Sequence, residues 1–553
     1  AWLRVEQAKN TIDFVGKTEV TEPDLSEEVT QRSGLRDRLI QHAEQERNDG
    51  NSSNATITEN LAWSLDFHRR EAKPVFWKLF DRMGSEVEDL VDDMDCLATC
   101  IRTSREPFKA KPRARNLAYE YIFDVEQEFK NSSSSYFVLG EVDEKGNQLR
   151  VSTDRELSDL KEGIIVLTSK NELPLLITLI PDEYVRPDPI PSAITAVVNN
   201  YEKRIFEGTA IADFLMKRQP RIRGRAQDIT PIVSSDNAQE SMAQVITAVE
   251  NLDSSYLAIQ GPPGTGKTYT AKQIIAQLVK TGKRVGISSN SHKAINNLLA
   301  GAASFCKQQG IKASCYCTKN TGSEIDDNDI AVIKNVEIAE NATLGCVVGT
   351  TAWGFCRDEA ENCFDYLFID EAGQVSVANL IGMSRATKNI VLMGDQMQLG
   401  QPSQGTHPGE SGLSILDYLL HDAPIIPAHM GVFLDTTYRM HSKVNNYISN
   451  AIYEGKLKAD VDNDKQVIDV PESYKGVLDK SAGVILIPVE HQGNTQASDE
   501  EVEVIKQHAH ELLGRRYTNK DNEVSFITWS DMLFVAPYNH QVTKLKMALG
   551  EQA

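Results

Sequence analysis

The feature that most constrains this chain is the string Gly261-Pro262-Pro263-Gly264-Thr265-Gly266-Lys267-Thr268. It lies between the apolar run Leu257-Ala258-Ile259 and a helical stretch over 271–279. A strand, a glycine-rich turn and a helix in that order fit the phosphate-loop pattern. Glycines let the main chain wrap an anion closely, and the amides and helix N-terminus aim partial positive charge at it. Lys267 would neutralise β- and γ-phosphates, and the Thr268 hydroxyl would bind Mg2+. A loop of this kind demands a parallel α/β sheet beneath it. It does not choose among kinases, transporters, GTPases and motors.

The choice comes further along. Leu367-Phe368-Ile369-Asp370-Glu371-Ala372-Gly373-Gln374 is an apolar strand that ends in two carboxylates. Strand ends in a parallel sheet face the ligand crevice. Asp370 is suited to holding Mg2+ through water. Glu371 is suited to orienting and deprotonating an attacking water, a part that a hydrolase needs and a kinase does not.

Around these motifs the chain divides into five expected regions. Residues 1–105 read as helical and polar, with a loop at Asn48-Asp49-Gly50-Asn51. Within them, His68-Arg69-Arg70-Glu71 reads as a solvated helix face and 86–95 as acidic surface. Residues 106–190 form a β-rich accessory module, barrel-like, on strand signals such as Tyr119 to Phe123 and Tyr136-Phe137-Val138-Leu139. A helical linker covers 191–225. Its basic stretch 217–225 is as suited to solvent as to phosphates. From 226 to 408, apolar strands at Ile259, 285–287, 346–348, 366–369 and 390–393 alternate with helices, the pattern of a doubly wound sheet. A second such unit, over 409–553, is expected to hold strands at 484–487 and 532–535 and to be truncated. The fold class is therefore α/β, with tandem P-loop-type domains behind a helical N-terminal region and a small β-rich module.

Composition sets limits. The net charge is −21, which repels polyanions at long range, so any nucleic-acid track must be a local strip with salt-sensitive binding. No apolar run of membrane-spanning length occurs, and residues 1–10 lack the apolar segment of a signal peptide. With no initiator Met at Ala1, further residues upstream are expected. The eight cysteines lack paired zinc spacing, so they are expected to be reduced thiols in a cytoplasmic or nuclear, not secreted, protein.

Three more strings make a family visible. They are Gly394-Asp395-Gln396-Met397-Gln398-Leu399, Thr437-Tyr438-Arg439-Met440-His441 and Val535-Ala536-Pro537-Tyr538-Asn539-His540-Gln541. With the two motifs above, the chain over about 235–545 resembles superfamily 1 helicases, in the branch that includes the nonsense-decay RNA helicase and the replication nuclease-helicase. A finer resemblance, to bacterial RecB-like nuclease–helicase fusions, rests on Tyr256 to Thr270, on Ser289 to Lys293 and on the string Phe67-His68-Arg69-Arg70-Glu71-Ala72-Lys73-Pro74.

The resemblance implies RecA-like domains and ATP as the nucleotide. Gln398 would sense the γ-phosphate and couple it to domain closure. Arg439 would act as an arginine finger from the second domain. Adenine would be read by a Gln upstream of the P-loop, with Gln239 and Gln244 as candidates, neither in a clean flanking pattern. Single-stranded nucleic acid would be touched by Ser289, Asn290, Ser291, His292 and Lys293, by Gly349, Thr350 and Thr351, and by Pro537, Tyr538 and Asn539, with movement 5′ to 3′ and DNA ahead of RNA as the track. Two later family motifs, including one with a further catalytic arginine, are missing: only 542–553 follow Gln541. Hydrolysis below full rate is expected. Glu128-Phe129-Lys130 has the acid-x-Lys form of a RecB-like nuclease centre, but no Asp on an upstream strand accompanies it. A nuclease domain, or a larger complex, is expected as a partner outside these residues. The alternative to a translocase is a regulatory or scaffold ATPase within a nuclease-helicase that acts in DNA repair or defence.

Overall fold

The computed structural model describes residues 27–127 and 129–550. Glu128 lies outside them, so the acid-x-Lys string is not described as a site. The chain forms two compact units. One comprises Ala1–Pro191 together with Pro402–Gly412, and the other Ser192–Gln401 together with Leu413–Ala553.

The N-terminal unit opens with three helices, α1 (Glu27–Asn48), α2 (Ser52–Ser64) and α3 (Phe67–Gly84). Leu35, Leu39 and Ala43 recur every four residues on α1 and pack against α2, where Ala55, Leu61 and Ala62 are buried. The acidic stretch after α3 is only partly surface. Arg82, buried on α3, donates to Asp93 at 2.7 Å, to Asp95 at 3.0 Å and to Glu183 at 3.3 Å, so a buried cation fixes part of the acidic run.

Six antiparallel strands follow: β1 (Leu97–Arg102), β2 (Leu117–Ile122), β3 (Ser135–Val142), β4 (Gln148–Thr153), β5 (Ile164–Ser169) and β6 (Leu176–Pro181). They close a barrel in the order β1-β2-β5-β4-β3-β6. Alternation drives closure: Tyr136 and Val138 on β3, and Leu149 and Val151 on β4, turn into a core shared with Tyr121, Ile165 and Leu179. The barrel begins earlier than residue 106. Leu97 and Cys100 pair with Leu179 and Ile177, and without β1 strand β6 would keep an open edge.

The second unit is built on a parallel sheet. Its strands are β7 (Tyr256–Gln260), β8 (Val285–Ser288), β9 (Ser314–Cys317), β10 (Ala331–Val332), β11 (Cys346–Gly349), β12 (Phe364–Ile369), β13 (Thr387–Gly394) and β14 (Gly431–Phe433), in the order β10-β9-β11-β8-β12-β13-β7-β14. Strands covered on both faces read as continuous apolar runs, which is why the sequence disclosed most of them. On one face Leu257, Ile259, Val285, Ile287, Phe368 and Val391 share a core with the helices Lys267–Lys280 and His292–Gln308.

Past residue 409 the strand β14 adds to β7 in parallel, with Gly431 opposite Ala258, while the strands expected there do not form. The runs 484–487 and 532–535 form no strand, and Leu486 and Leu533 are 90% and 88% exposed. A strand requires a neighbour to accept its amides, and among the described residues neither run has one. Besides β14, that region forms a two-stranded parallel pair (Thr436–Thr437 with Lys458–Ala459) and a small three-stranded antiparallel sheet (Val467–Ile468, Arg516–Thr518, Val524–Phe526).

Candidate nucleotide site

The strand order sets out the site. Loops that leave β11, β8, β12, β13 and β7 stand side by side at the carboxyl edge of the sheet. They carry, in that order, Thr350, Ser289, Asp370, Gln398 and the 261–268 loop.

In the phosphate loop, Gly264 and Gly266 take φ of +78° and +83°, the left-handed region that only glycine enters without strain. The helix then starts at Lys267. Lys267 donates from Nζ to the Gly261 carbonyl at 2.7 Å, and a Cβ on Gly261 would collide with the Lys267 stem. Thr265 is buried and donates to Pro262 O at 2.8 Å, while Thr268 is exposed at the mouth of the loop. Gly261 N donates to Gly394 O at 2.9 Å, tying the loop to the end of β13.

Asp370 lies half-buried one strand further along, its amide bonded to Ser288 O at 2.8 Å. Burial, then the charge of Glu371, pushes its carboxyl up to about 6. A hydrogen bond from the Glu371 amide and the charge of Lys267 pull the other way. Glu371 itself has φ +52°, ψ +46°, a strained conformation for a residue with a Cβ. Next to it, Gly373 and Gly394 allow main-chain packing: a Cβ on Gly373 would stand 2.8 Å from Asp395 O, and one on Gly394 2.7 Å from Ala372 N. Gln398 donates to Asp395 at 3.1 Å, and the same Asp395 oxygen accepts from the buried Tyr453 hydroxyl at 2.6 Å.

Arg439 was expected to face these groups across an interdomain cleft. Its main chain instead lies directly on the phosphate loop. Tyr438 N donates to Gly264 O at 2.9 Å, Thr437 Oγ1 donates to Pro263 O at 2.9 Å, and a Cβ on Gly264 would meet the Arg439 Cβ at 2.5 Å. Arg439 is exposed.

The remaining candidates divide. Gln239 is exposed in the first turn of the helix Ala238–Glu250. Gln244 is half-buried and accepts from Ser234 N at 2.8 Å, so it holds the preceding loop. Ser289 is buried, Asn290 and Lys293 are exposed, and Ser291 caps the helix His292–Gln308 through Ala294 N at 3.2 Å. Asn290 donates to Gln374 O, which links this loop to the one after Asp370. Burial pushes the half-buried His292 down, helped by Lys319. Thr350 is not a surface group. It is fully buried, and its hydroxyl is engaged by Asn335 at 3.0 Å and Thr318 at 2.9 Å, so it shapes the loop while Thr351 beside it stays half-exposed. Pro537, Tyr538 and Asn539 are exposed at the start of the helix Asn539–Leu549. Asp395 and Thr437 went unassigned in the sequence, although both lie inside strings it singled out. Hydrophilic residues in a motif signal a site, but only the folded chain shows that these two are buried and bonded to its other parts.

The comparisons with known proteins meet this geometry. Residues 236–468 match the family AAA_30 and residues 413–553 the family AAA_12, each described as an AAA domain. The chain carries AAA domains of superfamily 1 helicase type. It is 29% identical over 229 residues to the chicken (Gallus gallus) DNA replication ATP-dependent helicase/nuclease DNA2, covering 40% of this chain and 22% of that one. To the Arabidopsis thaliana helicase/nuclease JHS1 it is 26% identical over 342 residues, covering 57% and 24%. To the rat (Rattus norvegicus) DNA-binding protein SMUBP-2 it is 25% identical over 361 residues, covering 53% and 35%. The chain thus spans about a quarter of the length of the helicase/nuclease relatives. Arterivirus nonstructural protein 10 (helicase) aligns at 13% identity and a TM-score of 0.28 over 63% of this chain and 57% of that one, too loosely to carry an argument. Among the described residues no helix is long and apolar enough to cross a membrane, and no group of three His, Cys, Asp or Glu could hold a metal by itself. The cysteines are free thiols, and burial pushes Cys96, Cys100 and Cys315 up to about 12.

Proposed function

We propose that the helicase-type domains hydrolyse ATP to drive translocation along single-stranded nucleic acid, 5′ to 3′, with DNA the favoured track. The observation that carries this reading is the convergence on one sheet edge of Lys267, Asp370, Glu371 and Gln398, with Thr437 and Tyr438, the two residues before Arg439, bonded onto the same loop. The donor set fits Mg2+: Thr268 offers an exposed hydroxyl, and Asp370 a half-buried carboxylate at the end of the neighbouring β12 strand, beside Glu371. Bound there, Mg2+ would supply charge neutralisation at the β- and γ-phosphates. Lys267 adds a fixed cation to those phosphates, Glu371 orients the attacking water and takes its proton, Gln398 responds to the γ-phosphate, and Arg439 stabilises charge on the transferring group. Ser289, Asn290, Ser291, His292, Lys293, Thr351, Pro537, Tyr538 and Asn539 supply the proposed strand contacts. Gln239 or Gln244 remains the proposed adenine contact, and a cytoplasmic or nuclear setting belongs to the same proposal. So does the finer kinship with bacterial RecB-like fusions.

The test is ATP hydrolysis with and without oligo-dT. Lys267→Ala should lower kcat by at least about a hundredfold, the scale for removing one transition-state cation or donor. Glu371→Gln should slow hydrolysis on the order of a hundredfold or more while nucleotide binding persists. A Glu371→Gln variant as fast as the parent overturns the general-base assignment. Relatives named helicase/nuclease favour a second reading, a regulatory ATPase within a nuclease-helicase. Hydrolysis that ignores oligo-dT would decide for it.

A further inference from the structure

Asp395 directly follows β13 and is buried, 3% exposed. Its Oδ2 accepts from the Tyr453 hydroxyl at 2.6 Å and from Gln398 Nε2 at 3.1 Å, and its Oδ1 accepts from Met397 N at 3.3 Å. A buried carboxylate requires such donors, and here all three are neutral.

The shortest of these bonds comes from far along the chain. Tyr453 ends the element that begins at Arg439: Met440 and His441 lead into the helix Ser442–Ile452, and Tyr453 is its C-terminal cap. The residue is fully buried and fixed on its own account. Its amide donates to Ser449 O at 2.9 Å, its carbonyl accepts from Lys456 N at 2.9 Å, and its ring lies 6.2 Å from that of Phe433 on β14. Burial, then the bond to Asp395 and its charge, push the Tyr453 phenol up, so the proton stays on its oxygen and Tyr453 is the donor.

This bond decides how Gln398 presents itself. A carboxylate only accepts, so the Gln398 amide must turn its NH2 towards Asp395. Its Oε1 and second N–H are left for a phosphate or the attacking water, on a side chain that is half-exposed. The terminal torsion of an Asp is broad, so the carboxylate holds that orientation only if a second partner fixes it. Among the described residues the other side chain bonded to it is Tyr453.

We propose that Tyr453 is a positioning residue for hydrolysis: its hydroxyl fixes the Asp395 carboxylate, which orients the Gln398 amide for the γ-phosphate. This rests on the proposed role of Gln398. The element that carries Arg439 at one end thereby reaches Gln398 from its other end, through contiguous hydrogen bonds within one compact unit.

The experiment is a double-mutant cycle in the whole chain, with MgATP and oligo-dT, on Tyr453→Phe, Gln398→Ala and the two together. Tyr453→Phe should lower oligo-dT-stimulated kcat by about tenfold, the scale of one hydrogen bond to a charged group, with KM for ATP within about twofold. Gln398→Ala should lower kcat at least as much. In the Gln398→Ala background, Tyr453→Phe should change kcat by less than about twofold, because the group through which it acts is gone. A tyrosine that only braces the fold would slow both backgrounds by the same factor, and that result overturns the proposal. So does a Tyr453→Phe chain with parent kcat where Gln398→Ala is slow. A Gln398→Ala chain as fast as the parent overturns the role of Gln398, and the positioning with it. If Tyr453→Phe does not fold, Asp395→Asn carries the same cycle, since its NH2 takes the place of one acceptor oxygen. A parent chain that hydrolyses no ATP defeats the motor reading, and the cycle is then read in the preference for a non-hydrolysable ATP analogue over ADP. A preference lost alike in Tyr453→Phe, in Gln398→Ala and in the double variant supports the positioning. One lost in Gln398→Ala but kept in Tyr453→Phe overturns it, and one kept in both overturns the role of Gln398 and the positioning together.

Discussion

At Asp370 the fold imposes on a carboxylate what water would not. Burial and the Glu371 charge push its pKa up to about 6, against an ordinary value of 3.8. The sign follows from linkage: the folded chain binds this proton more tightly than the unfolded chain. The group's favourable contribution is therefore full below about pH 3.8 and is lost as pH rises through about 6. At pH 7.5 the ionised side chain costs stability, so Asp370→Asn should raise the Tm, by up to about 3 kcal/mol in stability from the shift alone. At pH 4 the gain should vanish, and hydrolysis should be lost at either pH. Thermal unfolding at the two pH values checks this, and equal gains at both would remove burial of charge as the cause. The same shift means that protons compete for the metal site. Half-maximal Mg2+ for hydrolysis should rise steeply once pH falls below about 6. A titration of Mg2+ at pH 5.5 and 7.5 reads it.

At the scale of elements, the contact that organises the site is the turn 261–268 against the segment that follows β14. Gly264 has no Cβ in a place where one would strike Arg439 and Thr437, and its φ is positive. Gly264→Ala should destabilise the fold by about 1–3 kcal/mol from strain and collision. It should also detach Thr437, Tyr438 and Arg439 from the loop, lowering kcat more than Lys267-dependent nucleotide binding. Chemical denaturation and a nucleotide-binding titration separate the two effects, and unchanged stability would show that the segment yields freely. The local pattern made the barrel strands visible, because alternation needs only neighbours in sequence. It could not show that β1 closes the barrel or that β14 joins β7, since each depends on a partner strand distant in the chain.

At the scale of the molecule, the charge of −21 makes a nucleic-acid track a local matter. Binding to oligo-dT should weaken with salt at a log–log slope of about −0.7 for each phosphate neutralised, near roughly −3.5 for a grip on about five. Fluorescence anisotropy across a salt series measures it, and salt-independent binding is incompatible with a translocase of this charge.

What the sequence determined by itself is what is contiguous. A strand, glycines and a helix within about twenty residues specify an anion cradle, because their geometry is local. The motif strings likewise carried Lys267, Asp370, Glu371, Gln398 and Arg439 to a family reading. Only the tertiary structure decided which polar residues face inward. Thr350 is consumed by Asn335 and Thr318, Asp395 by Tyr453 and Gln398, and Glu71 leaves its expected solvated face to hold a loop more than three hundred residues away. Likewise 484–487 has the composition of a strand and none of its bonds. A side chain's chemistry is written in its own residue, whereas burial and hydrogen bonding belong to pairs that the chain brings together only on folding.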